Sequence, residues 1–180
     1  METKIFKDKK IIVREISKSD LKNVKKFQDF INSLVREGAM IKANKTASLK
    51  EEIEWLKEKL KKIKARKEVC LLAEHENKIV GNTQITLDWV RQSHVGDFGI
   101  SIRKGYRQIG LGTYLTKEII KLAKKRLKPR PKIIRLSAYA TNKPAITFYK
   151  NLSFKEVAKI PKQGKIRDKF VAEVIMLKEI

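Results

Sequence analysis

In the stretch Arg107-Gln108-Ile109-Gly110-Leu111-Gly112-Thr113, an arginine and two glycines stand where a helix is due to begin. Glycine inside a helix costs about 1 kcal/mol relative to alanine, so its use here implies a tight turn or a closely approached backbone. Before this stretch, Phe98, Ile100 and Ile102 alternate with Asp97, Gly99 and Ser101, which is the period of a strand. After it, Leu111, Leu115, Ile119 and Leu122 share one helical face. A glycine loop between a strand and a helix presents unpaired N–H groups and the positive end of the helix dipole. Phosphate is the ligand such a loop suits, and Arg107 at its head adds a cation for the same anion. Two familiar phosphate loops are excluded. A Walker loop needs a Gly-Lys-Ser/Thr ending, and Gly112 is followed directly by Thr113. A dinucleotide fingerprint needs a third glycine soon after Gly112, and none follows it in this helix.

A second group of chemically capable residues follows about thirty positions later, in TNKPAITFYKNL. Asn142 is suited to cap a short helix, with Pro144 tolerated in its first turn. Tyr149 shares that helix with Ala145, Phe148 and Leu152 at core spacing, so spacing alone makes it a core aromatic.

Several elements must position these groups. Ile11 to Ile16 reads as a first strand, and Ser17 or Ser19 can cap a helix through Leu21, Val24, Phe27, Ile31, Leu34 and Val35 that ends near Gly38. Ser48 and Glu51 form a capping box for a second helix, with an apolar stripe of Leu49, Ile53, Leu56, Leu60 and Ile63. Glu68 to Ala73 and Lys78 to Val90 read as strands joined by a polar turn, and His94 to Lys104 as a third. Beyond the glycine loop and its helix, KIIRLSAYA is a strand, and FKEVAKI and KFVAEVIML close the chain as two more. The order predicts an α/β layer structure, a mixed sheet of six or seven strands flanked by about four helices, in one domain over residues 1–180.

Composition bounds the function. No stretch of about 18 uninterrupted apolar residues exists and the N-terminus lacks an apolar signal core, so neither a membrane span nor secretion is expected, and the expected location is cytoplasmic. Cys70 is the one cysteine and lies in an apolar run, which excludes a disulfide framework and reads as a buried hydrophobe. His75 and His94 are too few for a metal site. A formal net charge of +23 favours anionic partners, although the lysines are spread along the chain and a solvated basic surface accounts for them equally.

Arg107 to Gly112 fits the R-x-x-G-x-G/A motif and resembles the GNAT superfamily of N-acetyltransferases. Ala140 to Phe154 is similar to that family's N-x-x-A-x-x-x-Y-x-x-x-G-F segment, and the element order is similar over nearly the whole chain. The resemblance implies a mostly antiparallel sheet and acetyl-CoA as co-substrate. It places the pyrophosphate on Arg107, Gln108, Ile109, Gly110, Leu111, Gly112 and Thr113, the pantetheine arm along Ile100, Ser101 and Ile102, and further cofactor contacts at Asn142 and Phe148. It also makes Tyr149 the donor of a proton to the departing thiolate.

Two departures stand out. Ser153 replaces the glycine that usually ends the short helix, and Ser137 stands where ribosomal-protein acetyltransferases tend to carry a glutamate base. An amine of pKa about 10.4 must lose a proton before it attacks a thioester, and a serine cannot take it. Asp97, and secondarily His94, are the sequence's alternatives for that base. The expected activity is direct acetyl transfer to an amine: a protein N-terminus, a lysine, a polyamine or a small amine. Homodimerisation is compatible with it. The alternatives are a non-catalytic acyl-CoA-binding protein of the same fold, or a basic nucleic-acid-binding module. Against the last, aromatics do not interleave with the basic run Lys124 to Lys132, so no specific nucleic acid is expected.

Overall fold

In the computed structural model, which describes residues 1–87, 90–166 and 168–180, the chain forms eight strands and four α-helices. In chain order these are β1 (Glu2–Phe6), β2 (Lys9–Glu15), α1 (Val24–Arg36), α2 (Leu49–Lys64), β3 (Glu68–His75), β4 (Lys78–Thr86), β5 (Val95–Ile102), α3 (Leu111–Arg126), β6 (Ile133–Tyr139), α4 (Lys143–Asn151), β7 (Lys155–Ile166) and β8 (Lys169–Glu179). They make one sheet in the order β1-β2-β3-β4-β5-β6-β8-β7. Every pairing is antiparallel except β5 with β6, which is parallel. The expected mixed, mostly antiparallel sheet with four helices is present, with eight strands instead of six or seven.

The added strand is β1. Its residues are nearly all exposed, so no buried face gives it a two-residue period, and its turn to β2 is made by Lys7 at φ 55° without a glycine. Two other boundaries move. Ser17 caps a 3₁₀ turn, Lys18–Asn23, and α1 begins only at Val24, which leaves Leu21 at the surface. The strand expected to run to Val90 ends at Thr86; Val90 is exposed, and Asp88 and Trp89 lie outside the described residues.

The capping box of α2 forms as its sequence predicts: Glu51 N–H donates to Ser48 Oγ at 3.2 Å, and Ser48 N–H donates to Glu51 Oε2 at 2.7 Å. α1 and α2 cover one face of the sheet, packing Phe27, Phe30, Leu34 and Leu56 onto Cys70, Leu72 and Ile79. α3 and α4 cover the other, where Leu111, Leu115, Ile119, Ile146 and Tyr149 meet Ile85, Phe98, Ile134, Leu136 and Met176. β5 and β6 lie between the two layers and share only a short seam.

Candidate active site

The seam pairs Val95 with Ile133, Gly96 with Ile134 and Asp97 with Arg135, and ends there. Beyond it β5 stays with β4, Phe98 to Ile102 opposite Ile85 to Gly81, while β6 stays with β8, Leu136 to Tyr139 opposite Met176 to Glu173. The two strands therefore part and leave a cleft in the middle of the sheet. Arg103 N–H donates to Val80 C=O, and Gly99 C=O accepts from Thr83 Oγ1 at 3.0 Å, so the odd-numbered residues of β5 turn their backbone groups to β4. By the alternation of a strand, the N–H groups of Ile100 and Ile102 point into the cleft.

β5 leads into the glycine loop. Gly110 is the N-cap of α3 at φ 87°, a left-handed conformation that glycine adopts without strain, and no side chain caps the helix. Tyr114 N–H is the first to bond within the helix, to Gly110 C=O at 3.1 Å, so the N–H groups of Leu111, Gly112 and Thr113 are the unpaired donors of the first turn. Gly112 answers to packing as well: a Cβ there would sit 3.2–3.3 Å from Phe148 and Ile102. A side chain there would crowd the ends of the Phe148 and Ile102 side chains. Leu111 is wholly buried, so only its backbone can face a ligand, and Ile109 packs on the same core. Gln108, at φ 59°, and Thr113 are exposed. Arg107 donates from Nε to Ile102 C=O at 2.7 Å and pairs with Glu37 just beyond α1.

From the far side of the cleft, α4 brings Asn142, Phe148 and Tyr149. Asn142 is its N-cap, accepting from Ala145 N–H at 3.3 Å. Tyr149 is only 8% exposed and stacks edge-on against Phe98. Burial pushes its phenol up to about 12. Among the described residues its hydroxyl has no protein partner, yet no buried polar side-chain atom is left unsatisfied, so that hydroxyl reaches solvent. Tyr149 is thus a core ring with an accessible polar tip. Ser153 ends α4 at φ 64°, the left-handed position its alignment with a glycine implies.

The opposite face of β5 is polar. Asp97 holds both oxygens on Arg135, Nε to Oδ1 at 2.6 Å and Nη2 to Oδ2 at 2.9 Å. Ser137 and Tyr139 continue that face along β6. From α2, buried Lys59 pairs with buried Glu68 and donates to Gln84 Oε1 at 2.7 Å, and Gln84 lies opposite Gly99. His94 is exposed and precedes the seam, its carbonyl accepting from Lys132 and Ile133 N–H. The sequence reading missed Glu37, Lys59, Gln84 and Arg135, because an ordinary charged or amide residue on a helix or strand carries no local signature of its partner.

Among the described residues, no helix is long and apolar enough to cross a membrane, and no group of three His, Cys, Asp or Glu side chains is placed to hold a metal ion.

A parted central strand running into a glycine loop at a helix N-terminus lines up unpaired N–H groups suited to a phosphate-bearing ligand. The sequence model of the acetyltransferase (GNAT) family matches residues 35–154, and the chain belongs to that family. No curated relative matches the chain by sequence. Among solved structures it is similar to a GNAT-family acetyltransferase from Streptococcus pneumoniae, with 24% identity, TM-score 0.80, and 94% of this chain and 99% of that one covered. It is also similar to a ribosomal-protein-alanine N-acetyltransferase from Brucella melitensis, at 19% identity and TM-score 0.78 over 94% and 99% of the two chains. A phosphinothricin acetyltransferase from Sinorhizobium meliloti, solved in complex with acetyl-CoA, shares 14% identity at TM-score 0.75 over 94% and 88%. At these identities the likeness is one of fold.

Proposed function

We propose that the chain, acting as one transferase domain, moves an acetyl group from acetyl-CoA to an amine by direct attack within a ternary complex. The observation that carries this reading is the free edge of β5, whose Ile100 and Ile102 N–H groups lead straight to the unpaired N–H groups at the start of α3. The pyrophosphate sits over Gly110, Leu111, Gly112 and Thr113, with Gln108 and Ile109 shaping the turn and Arg107 exchanging Glu37 for phosphate. The pantetheine arm runs along Ile100, Ser101 and Ile102, flanked by Asn142 and Phe148. There a backbone N–H meets the thioester oxygen as its negative charge grows, and removal of such a donor costs about 10²–10³-fold in rate in other enzymes.

The attacking nitrogen, in its neutral form, makes the new C–N bond as the C–S bond breaks. Tyr149, ionising at about 12, stays protonated at any working pH. Full transfer of its proton to a thiolate of ordinary pKa near 8.5 is uphill, so it stabilises the leaving sulfur by donating a hydrogen bond. The nitrogen's surplus proton is released to water, and the thiolate leaves as coenzyme A. Asp97 enters with both oxygens on Arg135.

The test is thermal melting with acetyl-CoA, coenzyme A and a nucleotide control, followed by a screen of amines for thiol release. Ligand at a hundredfold excess over Kd adds about 2.7 kcal/mol to the native state, so a clear upward shift is expected. No shift with either coenzyme overturns the reading.

A further inference from the structure

We infer that Asp97 and Arg135 form a positioning clamp at the root of the cleft, fixing where β5 leaves β6 and so where the Ile100 N–H stands. The inference rests on the acetyl-transfer reading, since it concerns the strand that reading assigns to the thioester. Three observations carry it.

The first is place. Asp97 and Arg135 are the last register pair of the seam, and both lie on the face opposite Phe98 and Leu136, so their side chains meet across the point of separation. The second is geometry. Two parallel bonds, at 2.6 and 2.9 Å, lock the guanidinium plane to the carboxylate plane and so fix distance and orientation together. The third Arg135 nitrogen donates to Gln92 at 3.3 Å, just before the seam. The third observation is that β5 is held from its other flank at the same level. Gln84, gripped by Lys59, lies opposite Gly99, and Thr83 Oγ1 donates to Gly99 C=O. The strand is therefore fixed on both sides immediately before its free edge begins.

The clamp's side chains are 36% and 32% exposed, so water screens the charges, and the paired geometry, more than the Coulomb attraction, sets what the clamp does. Its effect is on register. The last register pair of the seam sets where the two strands part. Misplacement of about 1 Å can cost 10²-fold in rate, so the clamp protects the reacting geometry. Both Asp97 oxygens accept from Arg135, and the role assigned to Asp97 is that of a positioning residue.

The experiment compares Asp97→Asn, Arg135→Gln, Arg135→Lys and the Asp97→Asn/Arg135→Gln double variant with the wild-type chain. Turnover on the amine giving the fastest thiol release is read across pH, beside acetyl-CoA affinity by calorimetry and melting temperature. Either neutral variant is expected to lower turnover about 10- to 100-fold, with acetyl-CoA Kd within about threefold because the pyrophosphate seat lies at the other end of β5. The double variant falls no further than the worse single one. Arg135→Lys keeps the charge without the fork and recovers part of the loss. Asp97→Asn keeps the wild-type pH profile.

Wild-type turnover in Arg135→Gln, with an altered pH profile in Asp97→Asn, makes Asp97 the base and overturns the clamp. Additive losses, or losses that track a fall in melting temperature, overturn it too. A wild-type chain that binds no acetyl-CoA, or acetylates no amine, overturns the underlying reading and the clamp with it. Binding and transfer in the wild type with unchanged variants overturns the clamp alone.

Discussion

The two faces of β5 solve opposite problems. On the side of α3 and α4, Phe98, Ile100 and Ile102 are covered by apolar packing, and the polar work falls to backbone N–H groups and one tyrosine hydroxyl. On the side of α1 and α2, Asp97, Gly99 and Ser101 face paired charges and amides drawn from α2, β3, β4 and β6. A ligand on the first face is held by main chain, which tolerates much sequence change. A ligand on the second meets side chains, each of which can be altered singly.

The largest expected effect tests the polar face. Lys59 and Glu68 are each 4% exposed and neutralise one another. Lys59→Met strands the Glu68 carboxylate, and unfolding in urea should show a loss of about 3–5 kcal/mol. A compensating Glu68→Leu in the same chain should recover most of it. If the single variant is as stable as wild type, the pair does not organise that face.

Gly112→Glu tests the apolar face. The new side chain meets Phe148 and Ile102 and brings a negative charge to the proposed pyrophosphate seat, so acetyl-CoA affinity by calorimetry should fall at least about 100-fold. Gly112→Ala separates the causes: it adds the crowding without the charge. A strong loss with glutamate and a small one with alanine would locate the phosphate there.

Tyr149→Phe keeps the ring that packs on Phe98 and removes the hydroxyl. With the hydrogen bond to the leaving sulfur lost, turnover should fall roughly 10²-fold, with melting temperature and acetyl-CoA affinity nearly unchanged. In the wild type, rate should rise with pH as the acceptor loses its proton, with no descending limb from Tyr149 below about pH 11, because burial holds its phenol at about 12. Equal rates for the two chains would return Tyr149 to the core alone.

How legible each face was in the sequence follows from the same contrast. The proposed coenzyme side is built from two contiguous stretches, Ile100 to Thr113 and Asn142 to Tyr149, whose glycines, cap and spacing are local signals. The polar side is assembled from Lys59, Glu68, Gln84, Asp97 and Arg135, and a pairing such as Lys59 with Gln84 exists only after the chain has folded. Asp97 was visible as a carboxylate on the right strand, but its engagement with Arg135 was not, since nothing local foretells which strand will lie beside β5. β1 was hidden for a different reason: an exposed edge strand has no buried face to impose a period.

The smallest effect concerns the end of α4. Ser153 at φ 64° holds a conformation that costs a residue with a Cβ about 1 kcal/mol. Ser153→Gly should raise the melting temperature by about 2–4 °C and leave acetyl-CoA affinity alone. A lower melting temperature would mean that the serine side chain stabilises the turn by more than the backbone strain costs.

The parting of β5 from β6 leaves a signature in solvent exchange. Amides in the middle of an eight-stranded sheet ordinarily trade their hydrogens only through large openings, whereas Ile100 and Ile102 present theirs to the cleft. Along β5, deuterium uptake should therefore alternate, fast at these two positions and slow at Gly99 and Ser101, which face β4. A strand at the centre of the sheet thus behaves, residue by residue, as interior on one side and as rim on the other, until a ligand closes the gap.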